Sequence, residues 1–459
     1  MLLCAGFAVS WYLKISSAEK MKDFDLYTLV PANTLCVLDT DNTAELMQGI
    51  NELQCSKEGH FLYASRLFGQ IKEHINMLLA EAPHGLSQQM SKMLISFHEP
   101  DDLWNQVYYC RLGVGDNEFI GKFLDKYSSS GFPAKSFEYK GETIKIFPMP
   151  DDTFLSCYFN SHFLVISYQK RLIEEVIDAL KEKKSILKDE TFAKIRADRK
   201  VAALPAVIYI KVDSIFETWT EFSMKMNDHA IYFSGINYQV DSCFTPLKAL
   251  YSQPPVEEFP GDILPASTFF FSRRSAADLR NVFEFTTDET SLTTCFFHSD
   301  DSLASFCAVA TIPVKDVITA RRSLKNMLAV APNYLDSVFV RLTGLSQNIT
   351  PCTSFQQGQL VLAADSLSLS SYVEAIESGR VLGEEESIYK EGVTSLSESY
   401  NFMSMADMEY MFGQADGLIN FVPSYFRRHK EFFRHFVLST QFTVSDGIAY
   451  PNVVFLYKK

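Results

Sequence analysis

The chain has 459 residues, 47% hydrophobic and 21% charged, which excludes a disordered or collagen-like polypeptide and allows a core without disulfide staples. Length alone corresponds to about three domains, or two large ones. A formal charge of −14, from 42 Lys and Arg against 56 Asp and Glu, excludes a general nucleic-acid binder, which needs positive surface to displace phosphate counterions.

Met1 to Leu13 carry no charge, and Trp11 and Tyr12 stand ahead of Lys14, Lys20 and Lys22, as a membrane–water interface favours. Thirteen helical residues at ~1.5 Å each cover about 20 Å, short of the ~30 Å hydrocarbon core. Residues 1–24 are read as a truncated membrane anchor with its linker; the alternative is a short buried element of the fold.

The body follows as an α+β repeat over 25–251. Candidate strands lie at 34–39, 93–98, 105–112, 142–147, 153–159, 162–168, 205–212, 230–240 and 243–250. A helical insert is expected near 55–90, where Leu67, Ile71, Ile75 and Leu78 fall on one helical face ahead of Pro83 and Gly85. Prolines 254, 255 and 260 make 252–261 the expected linker, because proline blocks both helix and central strand. A second α+β repeat then runs over 262–459.

Five collinear matches carry this duplication. Val30-Pro31-Ala32-Asn33-Thr34 resembles Leu264-Pro265-Ala266-Ser267-Thr268, 234 positions on. Ser96 to Leu103 resembles Phe296 to Leu303, 200 positions on, so the first copy holds about 34 extra residues between these matches. Tyr109-Cys110 resembles Phe306-Cys307. Phe159 to Ile166 aligns with Phe355 to Leu362 at an offset of 196, and Ile173, Val176, Ile177 and Leu180 fall on Leu369, Tyr372, Val373 and Ile376. That spacing is one apolar helical face. The strand ending at Asp213 resembles the one ending at Asp407.

Three tight connections predict hairpins, at Phe159 to Phe163, at Pro100-Asp101-Asp102 and at Asp446-Gly447. Hairpins imply antiparallel pairing. The expected fold class is α+β: two duplicated lobes, each a mainly antiparallel sheet with helices packed on one face.

Chemistry is sparse. The chain has no GxSxG elbow, Walker loop or HExxH, and Gly113, Gly115 and Gly121 fit a strand-to-helix turn. His98, Asp101 and Asp102, echoed by His298, Asp300 and Asp301, combine imidazole and carboxylate as a divalent site would. Their place at a hairpin tip favours turn chemistry instead. The nine cysteines are odd in number and lack CxxC spacing, so they are read as small buried hydrophobes. So many free thiols favour a reducing compartment, against an extracytoplasmic address. Tyr425 to His435 is basic and aromatic; it fits either an anionic membrane surface or a helix with Phe inward and charge outward. Its expected counterpart, Phe216 to Lys225, carries Glu217 and Glu221. Asn348-Ile349-Thr350 has the glycosylation pattern and is assigned nothing. No catalytic, cofactor-binding or metal residue is assigned, and no cofactor is expected.

The apolar start Met1 to Leu13, together with Val30 to Thr34 and Leu264 to Thr268, resembles an uncharacterised family of bacterial (Bacteroidetes-type) membrane-anchored envelope proteins, a domain-of-unknown-function family. The resemblance implies one amino-terminal transmembrane helix and a large extracytoplasmic body, and it transfers no catalytic residue. The functional expectation is a non-enzymatic envelope protein attached through its N-terminus that binds another protein or an envelope component. The alternatives are a carrier of a lipid or other apolar ligand and an enzyme with a dispersed site.

Overall fold

A computed structural model describes residues 24–60, 92–99, 104–112, 116–127, 133–149, 152–198, 204–212, 216–238, 253–257, 259–286, 290–299, 302–345, 349–383, 392, 396–413, 418 and 422–458. The chain divides into two compact units, Met1–Asn227 and Asp228–Lys459. The division falls ahead of the proline-rich stretch expected as the linker. The reason is strand β10 (Ala230–Ile236), which pairs in the second unit with the C-terminal strand. Of the helical insert expected near 55–90, residues 61–91 lie outside the described residues, as does the candidate strand 243–250.

The first unit contains β1 (Cys36–Thr40), β2 (Met93–Phe97), β3 (Gln106–Arg111), β4 (Lys135–Tyr139), β5 (Glu142–Pro148), β6 (Phe154–Phe159), β7 (Phe163–Ser167), β8 (Ala206–Val212) and β9 (Phe216–Met226). They form an antiparallel sheet in the order β4-β5-β6-β7-β3-β2-β1-β8-β9. Its helices are α1 (Thr43–Glu52), α2 (Gln54–Lys57), α3 (Asp116–Tyr127), α4 (Lys170–Glu182) and α5 (Glu190–Asp198). Leu172, Ile173, Val176 and Ile177 of α4 are fully buried, and the helix packs on β3, β6 and β7. Nearby, the rings of Tyr27, Phe192, Tyr209 and Trp219 meet at 5.2–6.2 Å.

The second unit adds to β10 the strands β11 (Val256–Glu257), β12 (Thr268–Ser275), β13 (Ser291–Ser299), β14 (Ser302–Pro313), β15 (Cys352–Gln356), β16 (Gln359–Ala363), β17 (Ser399–Tyr400), β18 (Phe402–Asp407), β19 (Phe436–Ser445) and β20 (Ile448–Tyr457). Apart from the small pair β11–β17, the order is β15-β16-β14-β13-β12-β18-β19-β20-β10, again antiparallel throughout. Its helices are α6 (Val317–Val330), α7 (Tyr334–Thr343), α8 (Ser366–Glu377), α9 (Met408–Gly413), α10 (Ser424–Arg428) and α11 (Lys430–Phe433).

Helices lie on both faces of this second sheet, which corrects the expectation of one. All nine residues of β13 are buried. Successive side chains of a strand point to opposite faces, and here both faces meet a core. Cys295 and Phe297 join Phe271, Val309 and Val361 under Tyr372 and Ile376 of α8. Phe296 joins Phe269, Ala310 and Leu362 under Leu324 of α6, Val338 and Phe339 of α7, and Met408 of α9. Each helix's apolar side is legible in sequence; which sheet face it meets is a tertiary choice.

The units run in parallel strand by strand. In the first, a row of register partners crosses the sheet through Ile166, Tyr108, Ile95, Leu38, Ile208 and Phe222. In the second the corresponding row is Leu362, Ala310, Thr294, Ser272, Ser404 and Thr440. Ile166 and Leu362 are 196 apart; three strands on, Leu38 and Ser272 are 234 apart; at Ile208 and Ser404 the spacing is again 196. Pairing thus returns the offsets of 196 and 234, but it sets Ile95 and Thr294 199 apart and Tyr108 and Ala310 202 apart, where the sequence matches on these strands stood at 200 and 197. Pro31 bridges Ser185, and Ile186 N donates to Val30 O at 2.9 Å; Pro265 bridges Val381, and Leu382 N donates to Leu264 O at 2.8 Å. These contacts also stand 234 and 196 apart. Phe216 to Lys225 belongs to β9, whose counterpart is β19, so its expected match to the basic segment 425–435 is corrected.

Among the described residues no helix is long and apolar enough to cross a membrane. The transmembrane helix expected at the N-terminus is corrected on that finding. Residues 1–13 lie outside the described residues.

Candidate functional site

The histidines singled out in sequence occupy different surroundings. His98 follows the last residue of β2, and its Nε2 lies 2.9 Å from Ser96 Oγ, which in turn lies 2.9 Å from Tyr109 OH. Ser96 and Tyr109 are wholly buried. Burial, helped by the nearby Arg171 guanidinium, pushes the His98 imidazole down to about 4, so it is neutral at pH 7. A serine and a histidine in contact suggest a nucleophile, but this hydroxyl is closed to any substrate; the relay is structural.

His298 lies in β13, its ring 4.8 Å from Phe269 and 4.7 Å from Tyr410. Neither ring nitrogen has a hydrogen-bond partner. Burial lowers its pKa, opposed by the carboxylate of Asp407. Asp407 is itself pushed up by burial and held by Lys458 at 2.6 Å. Asp101, Asp102, Asp300 and Asp301 lie outside the described residues, as do Gly113, Gly115 and Asn348. Among the described residues no cluster of three or more His, Cys, Asp or Glu is placed to hold a metal.

The cysteines that are described carry free thiols. Burial pushes Cys36 and Cys295 up to about 12, so both are inert small hydrophobes. The basic aromatic segment forms α10 and α11, not one helix. Phe433 is buried, and Phe426 and Phe433 pack on Phe455 at 6.3 and 6.0 Å. Arg427, Arg428, Lys430 and Arg434 are exposed, with Arg434 paired to Glu409. This is the aromatic-inward, charge-outward arrangement.

The feature that sequence reasoning missed is a cavity of about 410 Å³ in the second unit. Its floor comes from Ala266 and Ser267 at the entry to β12 and from Phe297, His298 and Ser299 at the end of β13; its wall is Ser371, Glu374 and Ala375 of α8, with Arg380 beyond the helix. Ser267 Oγ donates to His298 O at 2.6 Å, pinning the two strand ends. Ser299 Oγ is buried without a partner. Glu374 and Arg380 pair at 3.1 Å with both side chains exposed, an ion pair worth at most about 1 kcal/mol and therefore easily opened.

The strand and helix offsets locate the same position in the first unit. Ser267 corresponds to Asn33 and Ser371 to Glu175; strand register sets Phe297 at the position of His98, which corrects the expected echo of His98 in His298 by one residue. There Asn33 Nδ2 donates to Glu175 Oε2 at 3.0 Å, and Arg171 pairs with Glu175 at 3.1 Å and Glu99 at 3.5 Å. An amide and a carboxylate meet there at the surface; in the second unit two serines occupy these positions beside the cavity. The alignment held this signal as a loss of side-chain volume at two positions.

Residues 100–230 match the model of a protein family of unknown function, DUF3352. That stretch takes in β3 to β9 and agrees with the expectation of a domain-of-unknown-function family. No curated protein matches the chain. A solved structure, crystal form I of TP0453, is similar at a TM-score of 0.22 and 8% sequence identity, covering 77% of this chain and 98% of that chain. A likeness at that level carries no functional argument.

Proposed function

We propose that the protein is a non-enzymatic binding protein made of two divergent copies of one antiparallel α+β unit, and that the second copy holds a small polar molecule in its cavity. The shared strand order and the repeated offsets of 196 and 234 support the duplication. One observation carries the binding role: the second unit has a cavity of about 410 Å³ lined by Ser267, Ser371, Glu374 and Arg380, with the smaller serines where the first unit has Asn33 and Glu175. Volumes of several hundred Å³ are usual for small-ligand sites. Serine hydroxyls, Glu374 and Arg380 favour a polar ligand over a lipid. The imidazole of His298 bonds none of the lining serines; Ser267 meets only its backbone carbonyl, which favours binding over nucleophilic catalysis.

Ser267→Asn with Ser371→Glu places the first unit's amide and carboxylate in the second. Purified protein is screened by ligand-observed NMR against amino acids, dicarboxylates and small sugars, with native mass spectrometry for a co-purified molecule. The expected result is a bound polar compound whose affinity falls at least about tenfold in the double variant. Wild-type protein that is empty and silent across the panel, or binding that survives the double variant, overturns the reading.

The address that goes with this reading is a bacterial cell envelope, with another envelope component as the biological context; its support is the family resemblance. Fractionation of cells expressing the full chain should place it outside the cytoplasm, and recovery in the cytosolic fraction alone would count against that address.

A further inference from the structure

The two sheets end differently on the side away from β12 and β1. In the first unit, β6 is covered by the hairpin β4–β5, with Lys145 opposite Cys157 and Phe147 opposite Leu155. In the second, β15 stands where β6 stands, and among the described residues β16 is its partner strand. The two-residue turn Gln357–Gly358, both at positive φ, sets which backbone groups face outward. Gln356 and Ser354 bond to β16, so Thr353 and Phe355 present N–H and C=O on the open side. Thr353 is the counterpart of Cys157.

Natural edge strands are usually blunted by charge or proline. The outermost strand of the first unit follows that rule, with exposed Lys135 and Glu138 on β4. β15 reads Cys-Thr-Ser-Phe-Gln, with neither in the strand itself, although Arg321 of α6 lies 5.5 Å over the Phe355 ring.

The first unit also shows how an added strand is held. Lys140, in the β4–β5 turn, pairs with Asp178 at 2.6 Å and Glu182 at 2.5 Å of α4, and Lys181 pairs with Glu142 at 3.0 Å. On α8 the counterpart of Asp178 is Glu374, and Glu377 follows one turn on; both are exposed. Both carboxylates persist where no lysine-bearing hairpin follows; Arg380 holds Glu374 at 3.1 Å, an exposed pair that a partner's cation can replace.

We infer that β15 is a docking edge for an extended segment of another polypeptide, which adds antiparallel to the sheet as β5 does and places a lysine or arginine against Glu374 and Glu377. Main-chain bonds to Thr353 and Phe355 supply the pairing, and the carboxylates select a basic partner. This uses a surface distinct from the binding of a small molecule, apart from the shared Glu374.

The test uses the full-length protein and a labelled synthetic peptide spanning Tyr139–Met149, the chain's own strand of this type. Fluorescence anisotropy should show saturable binding below about 1 mM, and hydrogen exchange should show new protection across 352–356. Thr353→Pro removes an outward N–H while sparing the β16 ladder, and should weaken binding at least about tenfold. Glu374→Gln with Glu377→Gln, both surface changes, should weaken it several-fold and flatten its salt dependence, even if the proline variant misfolds. No saturable binding, or protection elsewhere than 352–356, overturns the inference. So does a wild-type dimer that Thr353→Pro dissolves, because the occupant would then be a second copy of this chain.

Discussion

His98→Phe should remove about 3 kcal/mol of acid sensitivity from the stability of the protein. His98 is 7% exposed, and burial pushes its imidazole down to about 4 in the folded chain, against an ordinary value near 6.5. As pH falls, the unfolded chain takes up a proton near pH 6.5 while the folded chain resists until about pH 4. The contribution is therefore complete above pH 6.5 and lost progressively down to pH 4. Phenylalanine is the second unit's choice at this position, Phe297, so the replacement is one the architecture already accommodates. Ser96 keeps Tyr109 as its partner at 2.9 Å. Denaturant titrations at pH 7, 5.5 and 4.5 should show the wild type losing stability more steeply than the variant. Parallel curves would mean that His98 takes up its proton at the same pH in the folded and unfolded chain, so that burial does not control it.

That histidine also marks where sequence reasoning reached and where it stopped. A hairpin after Phe97 was legible from Pro100 and the aspartates, and β2 and β3 do pair antiparallel. The turn at Asp446–Gly447 was legible because both residues tolerate positive φ, here 52° and 76°. The buried face of α4 was legible at Ile173, Val176 and Ile177, since helical period alone defines it. The polar relay behind His98 was not, because Tyr109 comes from the next strand and its contact with Ser96 depends on register. β4 was missed although Lys140–Gly141 carries a turn signal, because its own residues are exposed and lack an apolar pattern. β9 was missed for another reason. On sequence alone the segment was matched to the basic stretch 425–435, whereas Thr218, Thr220, Phe222 and Met224 alternate as a strand does. The cavity lay furthest from view: Ser267 and Ser371 are 104 positions apart, and their signal in sequence is small size relative to Asn33 and Glu175.

Phe339→Ala should destabilise the second unit by about 3–5 kcal/mol, the range for emptying a large buried aromatic site. Phe339 lies in α7, is wholly buried, and belongs to the core that joins Phe296, Ala310 and Leu362 of the sheet to Leu324 of α6. The size of the effect decides whether the second face of this sheet is a true core. If the sheet were covered on one side, as hairpin patterning alone implied, α7 would ride on the surface and the truncation would change little. β13 argues otherwise, since every residue along it is buried and adjacent side chains must find partners on opposite sides. Ile318→Ala is the matched comparison: Ile318 is 74% exposed on neighbouring α6, and its loss should stay within about 0.5 kcal/mol. Chemical denaturation of both variants beside the wild type measures the difference. A loss under about 1 kcal/mol at Phe339 would detach α7 from the sheet and return the second unit to a single-cored fold.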